Sequence, residues 1–243
     1  MKSKNPRTAI IVVYLIAVHV LLIAALVSSD IVPRTVAWLG MARDVQQPPE
    51  EIPFIPMMRG VHAWMDASVP AGATIFLGDS ITMALATAAV APYSVNYGIS
   101  WQRSDQLMKS MDIYQSIARA GRVFVMVGTN DVLEGREADI QSRYQAILTK
   151  IPANVDVVMN SIPPVGDVVI NGRTISDKTV RDVGAIAQTV CEADKRCHFV
   201  DAYEALSTDG KPTQGVLMPD QIHLSPKGYQ LWIEAMRHAG GSP

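Results

Sequence analysis

The sequence predicts an α/β fold: a mainly parallel, five-stranded sheet in a flavodoxin-like arrangement, with helices on both faces. Three observations carry the prediction. Short apolar runs alternate with longer stretches of helical spacing from Thr74 to the last helix, and strands that alternate with helices pair in parallel, because each helix carries the chain back to the same end of the sheet. Glycine ends the first two runs, at Gly78 and Gly98, where a strand must give way to a turn. The 243 residues, 49% hydrophobic, suffice for one full-sized domain with its own core.

Ahead of that domain, Ala9 to Val27 form 19 consecutive positions without a formal charge, preceded by Lys2, Lys4 and Arg7. A run of this length can cross a bilayer, and the basic flank keeps the N-terminus cytoplasmic and places the rest outside. A cleaved signal peptide, cut after Val27-Ser28-Ser29, is the competing reading. Its apolar core usually spans about 7 to 15 residues, so a retained anchor is favoured. His19 reads as a tolerated polar residue within the run. Residues 1–29 are thus expected to be a basic start and transmembrane signal anchor, single-pass in the inner membrane with the domain on the periplasmic side.

Residues 30–56 read as a tether. Trp38 and Leu39 suit a membrane interface, while Pro48, Pro49, Pro53 and Pro56 with Glu50 and Glu51 make a semi-extended spacer. The folded domain is expected over residues 57–243. It opens with a helix, Met57 to Ala67, whose Val61, Trp64 and Met65 form an apolar stripe for core packing.

Within the domain, Ile75 to Leu77 read as the first strand and the alanine-rich stretch Ile81 to Val90 as a helix. Tyr93 to Tyr97 is the second strand, Ser104 to Arg119 a helix, Arg122 to Val127 the third strand and Glu134 to Lys150 a helix. Asp156 to Asn160 and His198 to Asp201 supply two further strands, separated by a helix from about Ser176 to Asp194. Ser225 and Pro226 are an N-cap and a first-turn proline for the last helix, which runs to about His238. Asn171-Gly172 between β-branched runs, Val168 to Ile175, signals a hairpin. It is either a flap beside the site or a plain surface excursion. Cys191 and Cys197, the only cysteines, bracket the turn into the fifth strand and are expected to pair in an oxidising compartment.

The chemistry gathers at strand ends. Ser80, in Gly78-Asp79-Ser80, falls between the first strand and its helix, at the sheet edge where open α/β folds bind ligands and where a helix N-terminus favours developing negative charge. By itself this tripeptide is equally a tight turn with a capping residue. Gly98 ends the second strand, and Asn130 in Gly128-Thr129-Asn130-Asp131 follows the third; a backbone N–H and a side-chain amide there could serve an oxyanion together with the Ser80 N–H. Gly-Thr-Asn-Asp alone is equally good turn chemistry. A serine nucleophile needs a base, and His223 is the histidine on the correct edge; Asp220, three residues earlier, can accept from one imidazole nitrogen and leave the other to take the serine proton. A capping aspartate beside a surface histidine would read the same way.

Taken together and in this order, Gly-Asp-Ser, a glycine after the second strand, Gly-x-Asn-Asp and Asp-x-x-His resemble the SGNH (GDSL-type) hydrolase family, over roughly Thr74 to His238. The resemblance implies a three-layer α/β/α sandwich, Ser80 as nucleophile, Gly98 and Asn130 as oxyanion-hole donors with the Ser80 N–H, His223 as base and Asp220 as its orienting carboxylate. Asp79 and Asp131 resemble structural hydrogen-bonders. One departure stands out: many relatives carry a second glycine where this chain has Trp101. A ring there would line the acyl pocket or stack on a sugar.

The expectation is a membrane-anchored esterase acting outside the cytoplasm, removing a short acyl group such as acetyl from a small ester or a glycan of the cell envelope. An acyltransferase using the same serine and a non-catalytic envelope scaffold are the alternatives. The formal net charge of −2 gives no reason to expect nucleic acid as a partner, and neither a metal nor an organic cofactor is implied.

Overall fold

The structure is a computed structural model, and it describes Tyr14, Leu15 and residues 17–22, 53–170 and 172–239. The chain divides into two units, Met1–Glu50 and Glu51–Pro243. In the first, the described residues are helical, and the His19 ring satisfies its Nδ1 on the Leu15 carbonyl at 2.7 Å. The remainder of the expected span Ala9–Val27, and the tether up to residue 52, lie outside the described residues. Among the described residues no helix is long and apolar enough to cross a membrane.

The second unit begins with helix α1, Phe54–Asp66. Its predicted core stripe is reversed: Trp64 is 80% exposed and Met65 44%, and the buried residues are Ile55, His62 and Asp66. Long-range partners explain the reversal. The Asp66 carboxylate accepts from the Ser116 backbone N–H and hydroxyl and from Tyr97 Oη, His62 Nδ1 meets Tyr114 Oη at 2.9 Å, and Arg59 donates to Ser110 Oγ and the Gln106 carbonyl. Polar groups bury where such partners await them, which a count of apolar residues cannot foresee.

Strands β1 (Thr74–Gly78), β2 (Ser94–Gly98), β3 (Arg122–Met126) and β4 (Asp156–Asn160) follow, then a hairpin of β5 (Val169–Ile170) and β6 (Arg173–Thr174), and then β7 (Cys197–Val200). The main sheet has the order β2-β1-β3-β4-β7 with every neighbouring pair parallel. This is the flavodoxin-like arrangement the alternation predicts. Ile75, Leu77, Val123, Val125 and Val157 are buried, and Phe76 stacks on Phe124 with ring centroids 4.5 Å apart, as strands covered on both faces require. A second, unpredicted hairpin joins β8 (Ser207–Thr208) to β9 (Lys211–Pro212).

The helices of this unit after α1 are α2 (Ser80–Met83), α3 (Ser104–Met111), α4 (Thr129–Glu134), α5 (Ile140–Lys150), α6 (Asp177–Glu192), α7 (Ala202–Ala205) and α8 (Pro226–Ala239). Helices α3, α5 and α6 pack side by side as one layer, while Trp232 and Met236 of α8 line one small internal gap together with Phe76, Phe124 and Met126. Several predicted helices are shorter than expected. The stretch Ile81–Val90 is one turn of α2 and then a 3₁₀ turn at Thr87–Ala89. The cause is Asn96, whose Nδ2 donates to the carbonyls of Thr82 at 2.7 Å and Leu85 at 3.1 Å and so draws off acceptors that a longer helix would have used. Ser104–Arg119 likewise breaks after Met111, and Glu134–Lys150 divides into the end of α4, a 3₁₀ turn and α5. Cys191 and Cys197 are disulfide-bonded, tying the end of α6 to the start of β7.

Candidate active site

Register places the site. Gly78 pairs with Gly98 on one side and Met126 on the other, so the carboxyl ends of β1, β2 and β3 lie level and the loops after them emerge side by side. Glycine at 78 is dictated by crowding, since a Cβ there would fall 2.1 Å from the Met126 carbonyl oxygen and 2.2 Å from Thr82 Oγ1. Asp79 caps the next turn: its Oδ1 accepts the Ile81 N–H at 3.0 Å. Ser80 opens α2, so its N–H is among the first-turn donors that no carbonyl of the same helix can satisfy.

The loop between β9 and α8 brings the base. Leu217 bridges Leu224, Met218 N–H donates to the His223 carbonyl at 2.8 Å, and Gly166 N–H holds the Gln221 carbonyl at 2.8 Å. His223 Nε2 stands 2.9 Å from Ser80 Oγ, and His223 Nδ1 stands 2.7 Å from Asp220 Oδ2. The other carboxylate oxygen, Oδ1, accepts the N–H groups of Ile222 and His223, each at 3.0 Å. Burial pulls the Asp220 carboxyl upward, but these N–H groups and the imidazole outweigh it, leaving its pKa below the ordinary carboxylate value. Asp220 is held as an anion, and the imidazole tautomer with its proton on Nδ1 presents a lone pair to the Ser80 hydroxyl. From α8, Tyr229 Oη donates to the Ile81 carbonyl at 2.8 Å and ties the last helix to the serine turn.

Asn130 lies in the first turn of α4, 6% exposed. One of its amide hydrogens goes to the Gln102 carbonyl at 3.1 Å, which leaves the second for a ligand. Gly98 has a different task from the one expected. Its N–H is donated to Asn96 Oδ1 at 2.9 Å, and a Cβ on it would lie 2.3 Å from the Met83 backbone nitrogen. The glycine lets β2 pass close to α2, and its donor is engaged. Three residues on, a turn closes with Gln102 N–H donating to the Ile99 carbonyl at 3.2 Å, and Trp101 sits in it at φ 61°. Glycine normally occupies that left-handed position. The Trp101 N–H takes no part in the turn's hydrogen bond, and its ring is 55% exposed.

Sequence reasoning missed Gln102. It is fully buried, donates Nε2 to the Gly78 carbonyl at 3.1 Å and accepts Ser110 Oγ on Oε1 at 2.6 Å. One residue therefore ties the end of β1, the Trp101 turn and Asn130 together. No local pattern announces it, because its partners come from three other segments. The hairpin is anchored on the same edge: Arg173 donates to the Val132 carbonyl at 2.8 Å and to Glu137 at 2.7 Å, at the end of the helix that carries Asn130. Asn171 at its tip lies outside the described residues.

Two buried carboxylates brace the floor. Burial raises Asp79 to about 6 against the pull of the Ile81 N–H. Asp131, also pushed up by burial, accepts Ser104 N–H at 2.9 Å, Ser104 Oγ at 2.7 Å and Arg143 at 2.9 Å. They hold the loops in place, while Ser80, His223 and Asp220 stay partly open to solvent.

Compared with known proteins, residues 76–231 match the family profile described as GDSL-like Lipase/Acylhydrolase family. No curated protein matches the chain in sequence. Among solved structures, the chain is similar to a Streptococcus pneumonia protein provisionally assigned as a platelet activating factor, with 20% identity, TM-score 0.67, 76% of this chain and 92% of that one covered. It is also similar to a GDSL-like lipase from Bacteroides thetaiotaomicron, with 20% identity, TM-score 0.62 and coverage of 74% and 96%. A third is an acetyl xylan esterase from Geobacillus stearothermophilus, with 20% identity, TM-score 0.56 and coverage of 71% and 96%. At these identities the likeness is one of fold.

Proposed function

Since the chain belongs to the GDSL-like lipase/acylhydrolase family, we propose that it is a membrane-anchored esterase that removes a short acyl group, acetyl foremost, through an acyl-enzyme on Ser80. The observation that carries this reading is the unbroken line from Asp220 Oδ2 through His223 to Ser80 Oγ, 2.7 Å and 2.9 Å long. Ser80 Oγ attacks the ester carbonyl carbon as its proton passes to His223 Nε2. The imidazolium so formed is stabilised by Asp220, and the carbonyl oxygen becomes the oxyanion. Collapse breaks the ester C–O bond, and the leaving alcohol takes the proton from His223. Water then repeats the sequence on the acyl-enzyme and releases the acid.

The donors for the oxyanion are the Ser80 N–H, the second amide hydrogen of Asn130 and the Trp101 N–H. Gly98 is replaced in this set because Asn96 already engages its N–H. The exposed Trp101 side chain, at φ 61° and next in sequence to the Gln102 whose carbonyl holds Asn130, supports a flat sugar face as the alcohol portion. The uncharged run Ala9–Val27 and its basic flank support anchoring with the domain outside the cytoplasm, and the Cys191–Cys197 disulfide suits that oxidising side.

The test uses an aryl acetate with acetylated and free glycans added. One acetate released per phenol, lost in Ser80→Ala, is expected. Acetylated glycan as the main product, detected by mass spectrometry, would make the protein a transferase.

A further inference from the structure

Helix α1 is amphipathic the wrong way round for a helix on the surface of a water-soluble domain. Its two charged residues and its histidine are turned into the protein: Asp66 and His62 are buried, and Arg59 is half-buried and bonded to Ser110 and Gln106. The opposite face carries Met57, Val61 and Trp64 at i, i+4 and i+7, flanked by Gly60, Ala63 and Met65, with no charged side chain among them. Met57 is 57% exposed and Trp64 80%. The inward bonds fix the helix in this rotation, so the apolar stripe cannot turn inward without breaking them. Surface helices ordinarily present the reverse pattern, and an apolar stripe centred on a tryptophan that none of the described residues covers marks a surface that meets something apolar.

Position in the chain points to the partner. The helix is the first element of the folded unit, and residues 28–53 alone separate it from the uncharged run Ala9–Val27. Tryptophan and methionine on an uncharged face suit the boundary between headgroups and acyl chains. We propose that the outer face of α1 lies on the lipid surface of the membrane, with Trp64 at the acyl–headgroup boundary, so that the catalytic domain is held against the bilayer in one orientation. The proposal rests on the anchoring reading above, and the two fail separately in the experiment that follows.

The full chain is reconstituted into vesicles of phosphatidylethanolamine and phosphatidylglycerol, some carrying bromine on the acyl chains close to the headgroup. Flotation after a carbonate wash reports anchoring. The Trp64 contribution to fluorescence is the difference between wild type and Trp64→Phe, a substitution at an exposed ring that leaves esterase activity unchanged. We expect the chain to float, the Trp64 contribution to be quenched at least twofold by brominated lipid, and acrylamide to quench it little. A floating chain whose Trp64 is quenched by acrylamide and not by brominated lipid overturns the docking and leaves the anchor standing. Shielding of Trp64 from both quenchers also overturns it, because the stripe is then covered by protein. A chain that does not float overturns both.

Discussion

Among the described residues of the domain, histidine, hydroxyl and carboxylate side chains gather in two clusters that differ in connectivity and in access to water. At the sheet edge, His223 bridges Asp220 and Ser80 through its two ring nitrogens, and the His223 and Asp220 side chains are 42% and 48% exposed. Beneath α1, His62 meets Tyr114 Oη, while Asp66 is occupied by Ser116 and Tyr97. There the carboxylate never reaches the histidine. Burial also lowers His62 to about 4, so at neutral pH its ring stays uncharged and makes a poor proton acceptor. The same residue types form an open hydrogen-bonded chain from carboxylate to serine in one place, the proposed proton relay, and a structural plug in the other.

The largest expected effect comes from the serine of each cluster. Ser80→Ala should lower kcat by about 10⁶ with folding intact, whereas Ser116→Ala should leave kcat within a small factor and lower the melting temperature. Comparable activity losses in the two folded variants would erase the distinction. Next, Asn130→Ala should cost about 10² to 10³ in kcat, read from steady-state kinetics on an aryl acetate. A loss as deep as that of Ser80→Ala would mean that Asn130 does more than donate to the oxyanion.

The buried cluster should show itself in pH-dependent stability. The folded His62 binds its proton less readily than the unfolded chain does, so the stability it contributes is complete above pH 6.5 and is lost as pH falls from 6.5 towards about 4. The loss is on the order of 3 kcal/mol. Denaturant melts at pH 7 and pH 4 on wild type and His62→Gln measure it, and the variant should show the smaller drop. Smaller again, Cys191→Ser with Cys197→Ser should cost about 2 kcal/mol on the chain-entropy account, with kcat unchanged, because the bridge lies between α6 and β7, away from the Ser80 edge.

The same contrast explains what could be read in advance. The three central strands were legible because buried parallel strands are apolar along most of their length, and the two edge strands, Ser94–Gly98 and Cys197–Val200, because each falls between helical stretches in the alternation. Ser80, Asn130, Asp220 and His223 were legible because each follows or precedes an element whose end shows in sequence. What escaped was set by distant partners. Asn96 ends α2 after one turn, Tyr97, Tyr114 and Ser116 draw the polar side of α1 inward, and Gln102 acts on three segments at once. Gly98, expected as a donor from its place after the second strand, gives its N–H to Asn96 Oδ1, a partner two residues away that strand and turn patterns do not show.

The central claim is that Ser80, and no other serine, carries the acyl group. Treating the folded protein with a fluorophosphonate and mapping the adduct by peptide mass spectrometry tests it directly. A single adduct on Ser80, formed by wild type and strongly slowed in His223→Ala, is the predicted result. An adduct on a different serine, or active protein that takes up no label, would contradict the account.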